Sequence, residues 1–129
     1  MNLERKYLFT ALTYAVLGLS LGIYMGVSQD HKQFVTHAHI LLVGFIVSFV
    51  YAVIHKLWLG GTSTGLASVQ FYLHQFASIV MFVALFVLFG RFLNEEQAGP
   101  LLGIASIGVL TGMVMMFWLV LRSEPNSPG

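Results

Sequence analysis

The stretch that decides the fold is residues 34–57, FVTHAHILLVGFIVSFVYAVIHKL. Between polar ends it is almost entirely apolar, and it is long enough to cross a hydrocarbon core of ~30 Å as a helix. Similar apolar runs cover about residues 7–27, 66–89 and 100–121. The sequence therefore predicts an all-α integral membrane protein, a bundle of four transmembrane helices that forms a single domain over residues 1–129.

The composition agrees with a membrane protein. Hydrophobic residues make up 57% of the chain and charged residues only 9%, whereas a soluble domain carries far more polar surface. The lipid membrane is thus the first expected partner. A formal net charge of +1 predicts no nucleic-acid partner. Cysteine is absent, which excludes disulfides, thiolate metal sites and iron–sulfur clusters.

The orientation follows from the basic residues near the helix ends, because cytoplasmic loops are enriched in lysine and arginine. The side with both chain termini and the link after the second helix carries four of them: Arg5, Lys6, Lys56 and Arg122. The opposite side carries two, Lys32 and Arg91. We therefore expect a multi-pass protein of a bacterial-type inner (plasma) membrane, with both termini in the cytoplasm.

Two histidines, His37 and His39, lie at the start of the second apolar run. Polar ionisable groups inside a membrane are costly and usually functional. A spacing of two residues turns about 200° around a helix, so the two side chains point to opposite flanks. They are therefore expected to bind two separate cofactors rather than one metal ion. The alternative is that both lie in the interfacial region and bind headgroups or water.

A heme held by two histidines needs a second ligand at a similar depth. At that depth one chain offers only Met25, and His55 lies about 27 Å from His37 along the helix axis. A cyclic homo-oligomer supplies the missing ligand, because opposite flanks of the same helix face different neighbours. His37 of one subunit is then expected to meet His39 of the next.

The segment VTHAHILLVGFIVSFVYAVIHKLW, residues 35–58, resembles the tenth helix of the catalytic subunit of heme–copper oxidases and nitric oxide reductases. In that helix a His-x-His pair ligates two hemes, one for each histidine. His37, His39 and Gly44 correspond to residues of the motif, and His55 corresponds with a shift of one residue. The resemblance implies that His37 is an axial ligand of a high-spin heme and His39 of a low-spin heme.

The family's large subunit consists of three four-helix units related by pseudo-threefold symmetry. A chain that resembles one unit implies a homotrimer with up to three hemes. The family also holds a copper ion with a histidine pair on the helix that matches the third apolar run. Here the corresponding segment, Val83–Phe89, is apolar, so oxygen reduction of the oxidase kind is not expected, and whether the protein is an enzyme stays open.

The other polar candidates leave several functions open. His55 and His74 lie toward the cytoplasmic end and are expected to form a second site for a metal or a quinone, or to ligate an inner heme, unless they are interfacial. His31 is expected to be solvated. Met113, Met115 and Met116 are expected to pack rather than bind copper.

The leading functional prediction is a b-type cytochrome that binds heme b for electron transfer or for O2 or NO chemistry. Its electron donor and acceptor are not identified by the sequence, and a quinone is one candidate. No Cys-x-x-Cys-His motif is present, which excludes covalent c-type attachment. The alternatives are a copper or zinc carrier that uses His37, His39, Met25 and His31, and a structural subunit without a cofactor.

Overall fold

A computed structural model describes residues 1–60 and 64–123. This part contains four helices that are long and apolar enough to cross a membrane: α1 (Leu3–Ser28), α2 (Phe34–Leu57), α3 (Gly65–Phe89) and α4 (Glu95–Arg122). No strand occurs in these residues. The prediction of an all-helical fold with four membrane-length helices is therefore confirmed.

Polar side chains cap the starts of three helices. The side chain of Asn2 accepts a hydrogen bond from the backbone of Arg5 at α1, and Thr64 does the same at α3. At α4, Asn94 and Gln97 form a reciprocal capping box, which satisfies backbone N–H groups of the first turn. This box explains why α4 begins at Glu95, before the expected start at Pro100, which lies inside the helix.

A π-helix interrupts α2. The helix is α-helical over Phe34–His39, π-helical over Ile40–Ile46 and α-helical again over Val47–Leu57. At the end of the π segment the N–H of Val47 bonds to the carbonyl of Leu42, five residues back. Such segments are rare and occur frequently at functional sites. Here the π-helix begins directly after His39.

Glycines allow α1 to pack closely on α2. A Cβ atom at Gly44, in the π-helix, would lie 2.7 Å from Cγ of Tyr14 on α1. On α1, a Cβ at Gly18 would lie 2.6 Å from Cδ2 of Leu41. Small residues that permit such approach are typical of helix pairs in membranes. The missing side chain of Gly44 thus makes room for the Tyr14 ring.

The distribution of residues differs from that of a soluble bundle. Large apolar side chains cover the outer surface, among them Val27, which is 82% exposed, and Phe117, which is 66% exposed. Lipid tails are as apolar as these side chains, so burying them in protein brings little benefit. The interior instead holds buried polar residues: Gln33, Thr36, Ser48, His55, Gln70, His74, Gln75 and Ser78. The bundle is therefore held together partly by internal polar contacts.

Gly44→Ala is expected to destabilise the protein by about 1–3 kcal/mol, because the added methyl group clashes with the Tyr14 ring. Gly26→Ala is the matched control, since a Cβ at that position would meet no described atom within 4 Å beyond its chain neighbours and the nearby backbone of α1. Thermal unfolding of both variants in the same detergent measures the difference. Equal stability of the two variants would show that α1 and α2 do not pack as described.

Candidate functional site

His37 lies in the first turns of α2 and is held against α1. Its Nδ1 atom is 2.7 Å from the carbonyl oxygen of Gly18. The ring also lies over Gly22, where a Cβ would come within 2.7 Å of Cε1. A carbonyl oxygen only accepts hydrogen bonds, so Nδ1 carries the hydrogen. In the neutral ring the lone pair is then on Nε2, the atom available to a metal.

His39 has the same arrangement with a different partner. Its Nδ1 atom is 2.9 Å from the carbonyl oxygen of Val35, one turn earlier in α2. Nδ1 therefore donates, and Nε2 again holds the lone pair. Both His37 and His39 are partly buried. The structure thus presents two histidines with fixed tautomers, one bound to α1 and one to its own helix.

A polar contact fixes the start of α2 against α3. Thr36 is 1% exposed and donates its hydroxyl hydrogen to Oε1 of Gln33, at 2.6 Å. Nε2 of Gln33 donates in turn to the carbonyl oxygen of Phe86 at the end of α3, at 3.0 Å. Sequence reasoning missed Gln33, because a glutamine before an apolar run is read as part of a polar link.

At the other end of the bundle, His55 and His74 belong to one aromatic cluster. The Tyr7 ring stacks on His55 with centroids 5.6 Å apart, and it lies 6.4 Å from the His74 ring. Tyr51 meets His74 edge to face at 5.1 Å. Both histidines are 0% exposed. Neither ring therefore reaches the surface of the bundle.

Tyr7 and Gln70 connect this cluster to three helices. The hydroxyl of Tyr7 donates to Oε1 of Gln70, and Nε2 of Gln70 donates to the carbonyl oxygen of Gly112 at 3.1 Å. These bonds link α1, α3 and α4. Sequence reasoning did not identify Tyr7, because a tyrosine near a helix start is common at a membrane interface and carries no signal of burial.

Four buried polar atoms have no hydrogen-bond partner among residues 1–60 and 64–123: both ring nitrogens of His55, Nδ1 of His74 and Oγ of Ser48. The remaining nitrogen of His74 lies 3.5 Å from Oγ of Ser78, the limit of a hydrogen bond. Each unsatisfied buried group costs roughly 1–3 kcal/mol. So many such groups in one cluster call for a physical explanation.

Two of the residues expected for a copper or zinc carrier differ in their surroundings. His31 is exposed, with Nδ1 3.2 Å from the carbonyl oxygen of Gln29, whereas Met25 is 4% exposed within the bundle. In the described part of the chain, no group of three or more histidines and carboxylates is placed to hold a metal ion. Met116 is buried in the apolar cluster that contains Tyr7 and Tyr51, which is a packing role.

The fold and its polar interior define a four-helix bundle of membrane-spanning dimensions with histidines at both ends of one helix. Comparison of the chain with protein-family models, with curated proteins and with solved structures found no match.

Tyr7→Phe is expected to lower the free energy of unfolding by about 1–3 kcal/mol, because it leaves the buried Oε1 of Gln70 without its donor. Tyr24→Phe on the same helix is the control. Tyr24 is 57% exposed, and its change is expected to cost under ~0.5 kcal/mol. Unfolding in detergent measures the free energy of unfolding of both variants. A similar decrease in both would show that the hydrogen bond from Tyr7 does not stabilise the bundle.

Proposed function

We propose that this protein is a membrane b-type cytochrome in which Nε2 of His37 and Nε2 of His39 would hold heme b. The observation that carries the proposal is the anchoring of both rings through Nδ1 to backbone carbonyl oxygens. Histidines that ligate metals almost always donate the other ring N–H in this way. The bond fixes the tautomer and leaves Nε2 as the ligand atom.

The surroundings of the two histidines also suit a porphyrin. The Phe34 ring lies 6.5 Å from the His37 ring and is 61% exposed, and Leu42 is 60% exposed one turn beyond His39. These side chains offer the apolar contact area that a non-covalent heme requires. When bound, the heme would supply one-electron redox chemistry and, with an open position, binding of O2 or NO. The protein's part is to hold the rings, fix their tautomers and exclude water.

A homotrimer is the proposed assembly. His37 and His39 diverge by about 200° on one helix, so each heme would lie between His37 of one subunit and His39 of the next. The exposed apolar faces of the bundle offer the surfaces that such contacts need. The number three comes from the resemblance of residues 35–58 to one helix of an assembly with threefold pseudo-symmetry.

The proposed setting is a bacterial-type inner membrane with both termini in the cytoplasm, as the basic residues suggest. The hemes would then lie near the outer face. An electron donor or acceptor in the membrane, with a quinone as one candidate, would exchange electrons with them. A copper or zinc carrier and a cofactor-free structural subunit are the competing functions.

His37→Ala and His39→Ala are each expected to abolish or strongly change the heme spectrum of the purified protein, because each removes an iron ligand. His31→Ala, in the exposed loop, is the control and is expected to leave the spectrum unchanged. Reduced-minus-oxidised absorption spectra and iron analysis make the measurement. A wild-type spectrum in both α2 variants would rule out these ligands.

Metal content and absorption spectra of the same purified protein distinguish the competing functions. Bound copper or zinc without a Soret band would indicate a carrier, and the absence of both metal and Soret band would indicate a structural subunit. With heme present, slow or negligible CO binding is expected of a six-coordinate iron and favours electron transfer. Rapid stoichiometric CO binding would instead indicate five-coordinate iron and gas chemistry.

A further inference from the structure

The unpartnered atoms of the interior lie on facing helices. Ser48, Tyr51 and His55 follow one another at helical spacing on one face of α2, and all three are at most 1% exposed. The Tyr51 ring contacts His74 of α3. His55 and His74 both contact the Tyr7 ring, and Ser48 lies on the same face of α2 as His55. Among the described residues Ser48 Oγ and both nitrogens of His55 have no hydrogen-bond partner, and Nδ1 of His74, which faces the backbone of Val43, makes no hydrogen bond of normal geometry.

The chemistry of imidazole indicates what fills this space. A neutral ring has one N–H donor and one lone pair, and both nitrogens of His55 lack a partner among residues 1–60 and 64–123. A metal ion would take the lone pair and leave the N–H unsatisfied. Water both donates and accepts, and buried water typically makes about three hydrogen bonds to such groups. Water therefore satisfies the cluster better than a metal does.

We propose that His55, His74 and Ser48 surround a small group of buried water molecules and form a proton-binding site, which exchanges protons past Glu4 with the aqueous phase at the end where α1 begins. This site is separate from the proposed heme ligands and does not depend on heme.

Glu4 is the charged group past which the proton enters. It lies in the first turn of α1, three residues before Tyr7, whose ring stacks on His55. Its side chain is 20% exposed and pairs with Lys56, whose side chain is 71% exposed, at 3.7 Å. Glu4 and Lys56 also line a cavity of about 460 Å³ between α1 and α2. Glu4 is thus a charged group at the aqueous edge of the two helices that carry Tyr7 and His55.

The proton that enters the site comes from the aqueous phase. A hydronium ion gives up its proton through water past Glu4 to the lone pair of His55, which becomes an imidazolium while the hydronium becomes water. The negative charge of Glu4 at the edge of the helix pair favours the entry of this positive charge. The other ionisable groups facing the two rings are Tyr7 from α1 and Tyr51 from α2, both neutral phenols at physiological pH.

Solid-state NMR of the full-length protein in lipid bilayers, with ¹⁵N-labelled histidine rings, tests the proposal. We expect contacts between water protons and the ring nitrogens of His55 and His74, assigned with His55→Gln and His74→Gln. Glu4→Gln is expected to slow proton exchange at His55 by about tenfold or more while the water contacts remain. Glu95→Gln, at the exposed start of α4, is the matched control and should change neither.

Three results would overturn the proposal. The first is that the two rings show no contact with water. The second is that Glu4→Gln leaves the exchange rate at His55 unchanged. The third is a stoichiometric transition metal that is lost in both His→Gln variants, which would assign the site to a metal. Each readout is taken at His55 and His74, so it remains informative if the heme proposal fails.

Ser48→Ala provides a measurement that does not rely on changing a histidine. If water bonds to the Ser48 hydroxyl, its removal lowers the midpoint temperature of unfolding and weakens the water contacts of His74. In a dry interior the hydroxyl is an unpaired group, so its removal leaves the midpoint unchanged or raises it. That second outcome would contradict a hydrated site.

Discussion

Hydrocarbon cannot form hydrogen bonds, and this constraint governs the structure of a bundle with the dimensions of this one. Every polar group within the helices has to find its partner inside the protein. The bond from Tyr7 to Gln70, and from Gln70 to the Gly112 carbonyl, joins three helices at one end. The bonds from Thr36 to Gln33 and from Gln33 to the end of α3 fix the other end. Apolar packing alone holds such helices weakly, because lipid competes for the same surfaces.

The same constraint applies to the ring nitrogens of the histidines. At one end, Nδ1 of His37 and Nδ1 of His39 donate hydrogen bonds to backbone carbonyl oxygens, so Nε2 of each ring stays available. At the other end, His55 and His74 are fully buried, and three of their four ring nitrogens lack a partner in the described chain. The free Nε2 lone pairs of His37 and His39 suit a metal ion such as heme iron. The buried rings of His55 and His74 suit water, which both donates and accepts hydrogen bonds. Helix α2 therefore contributes histidines with two different kinds of surroundings.

The sequence was sufficient for the coarse architecture because hydropathy over about 20 residues has a direct physical cause. It was less informative about helix ends, where the capping box of Asn94 and Gln97 starts α4 before Pro100. The sequence did not predict the π-helix over Ile40–Ile46, nor the close packing of Gly44 against Tyr14 within it.

For the candidate sites, histidine spacing gave the directions of the side chains but not their partners. The Gly18 and Val35 carbonyls that fix His37 and His39 are backbone atoms, which no side-chain pattern reveals. The burial of His74 depends on Tyr7 and Tyr51, which come from two other helices. Contacts of this kind are set by tertiary packing, so a single sequence does not show them.

We propose that heme is shared between chains, and mixing two variants that each lack one of the proposed ligands tests this most directly. Chains with His37→Ala and chains with His39→Ala are co-expressed with different tags, and complexes that carry both tags are purified. A mixed ring contains an interface with an intact His37 and an intact His39, so the account predicts a bis-histidine heme spectrum that neither variant gives alone. No recovery in verified mixed complexes, or a native mass that shows heme on a single chain, would contradict it.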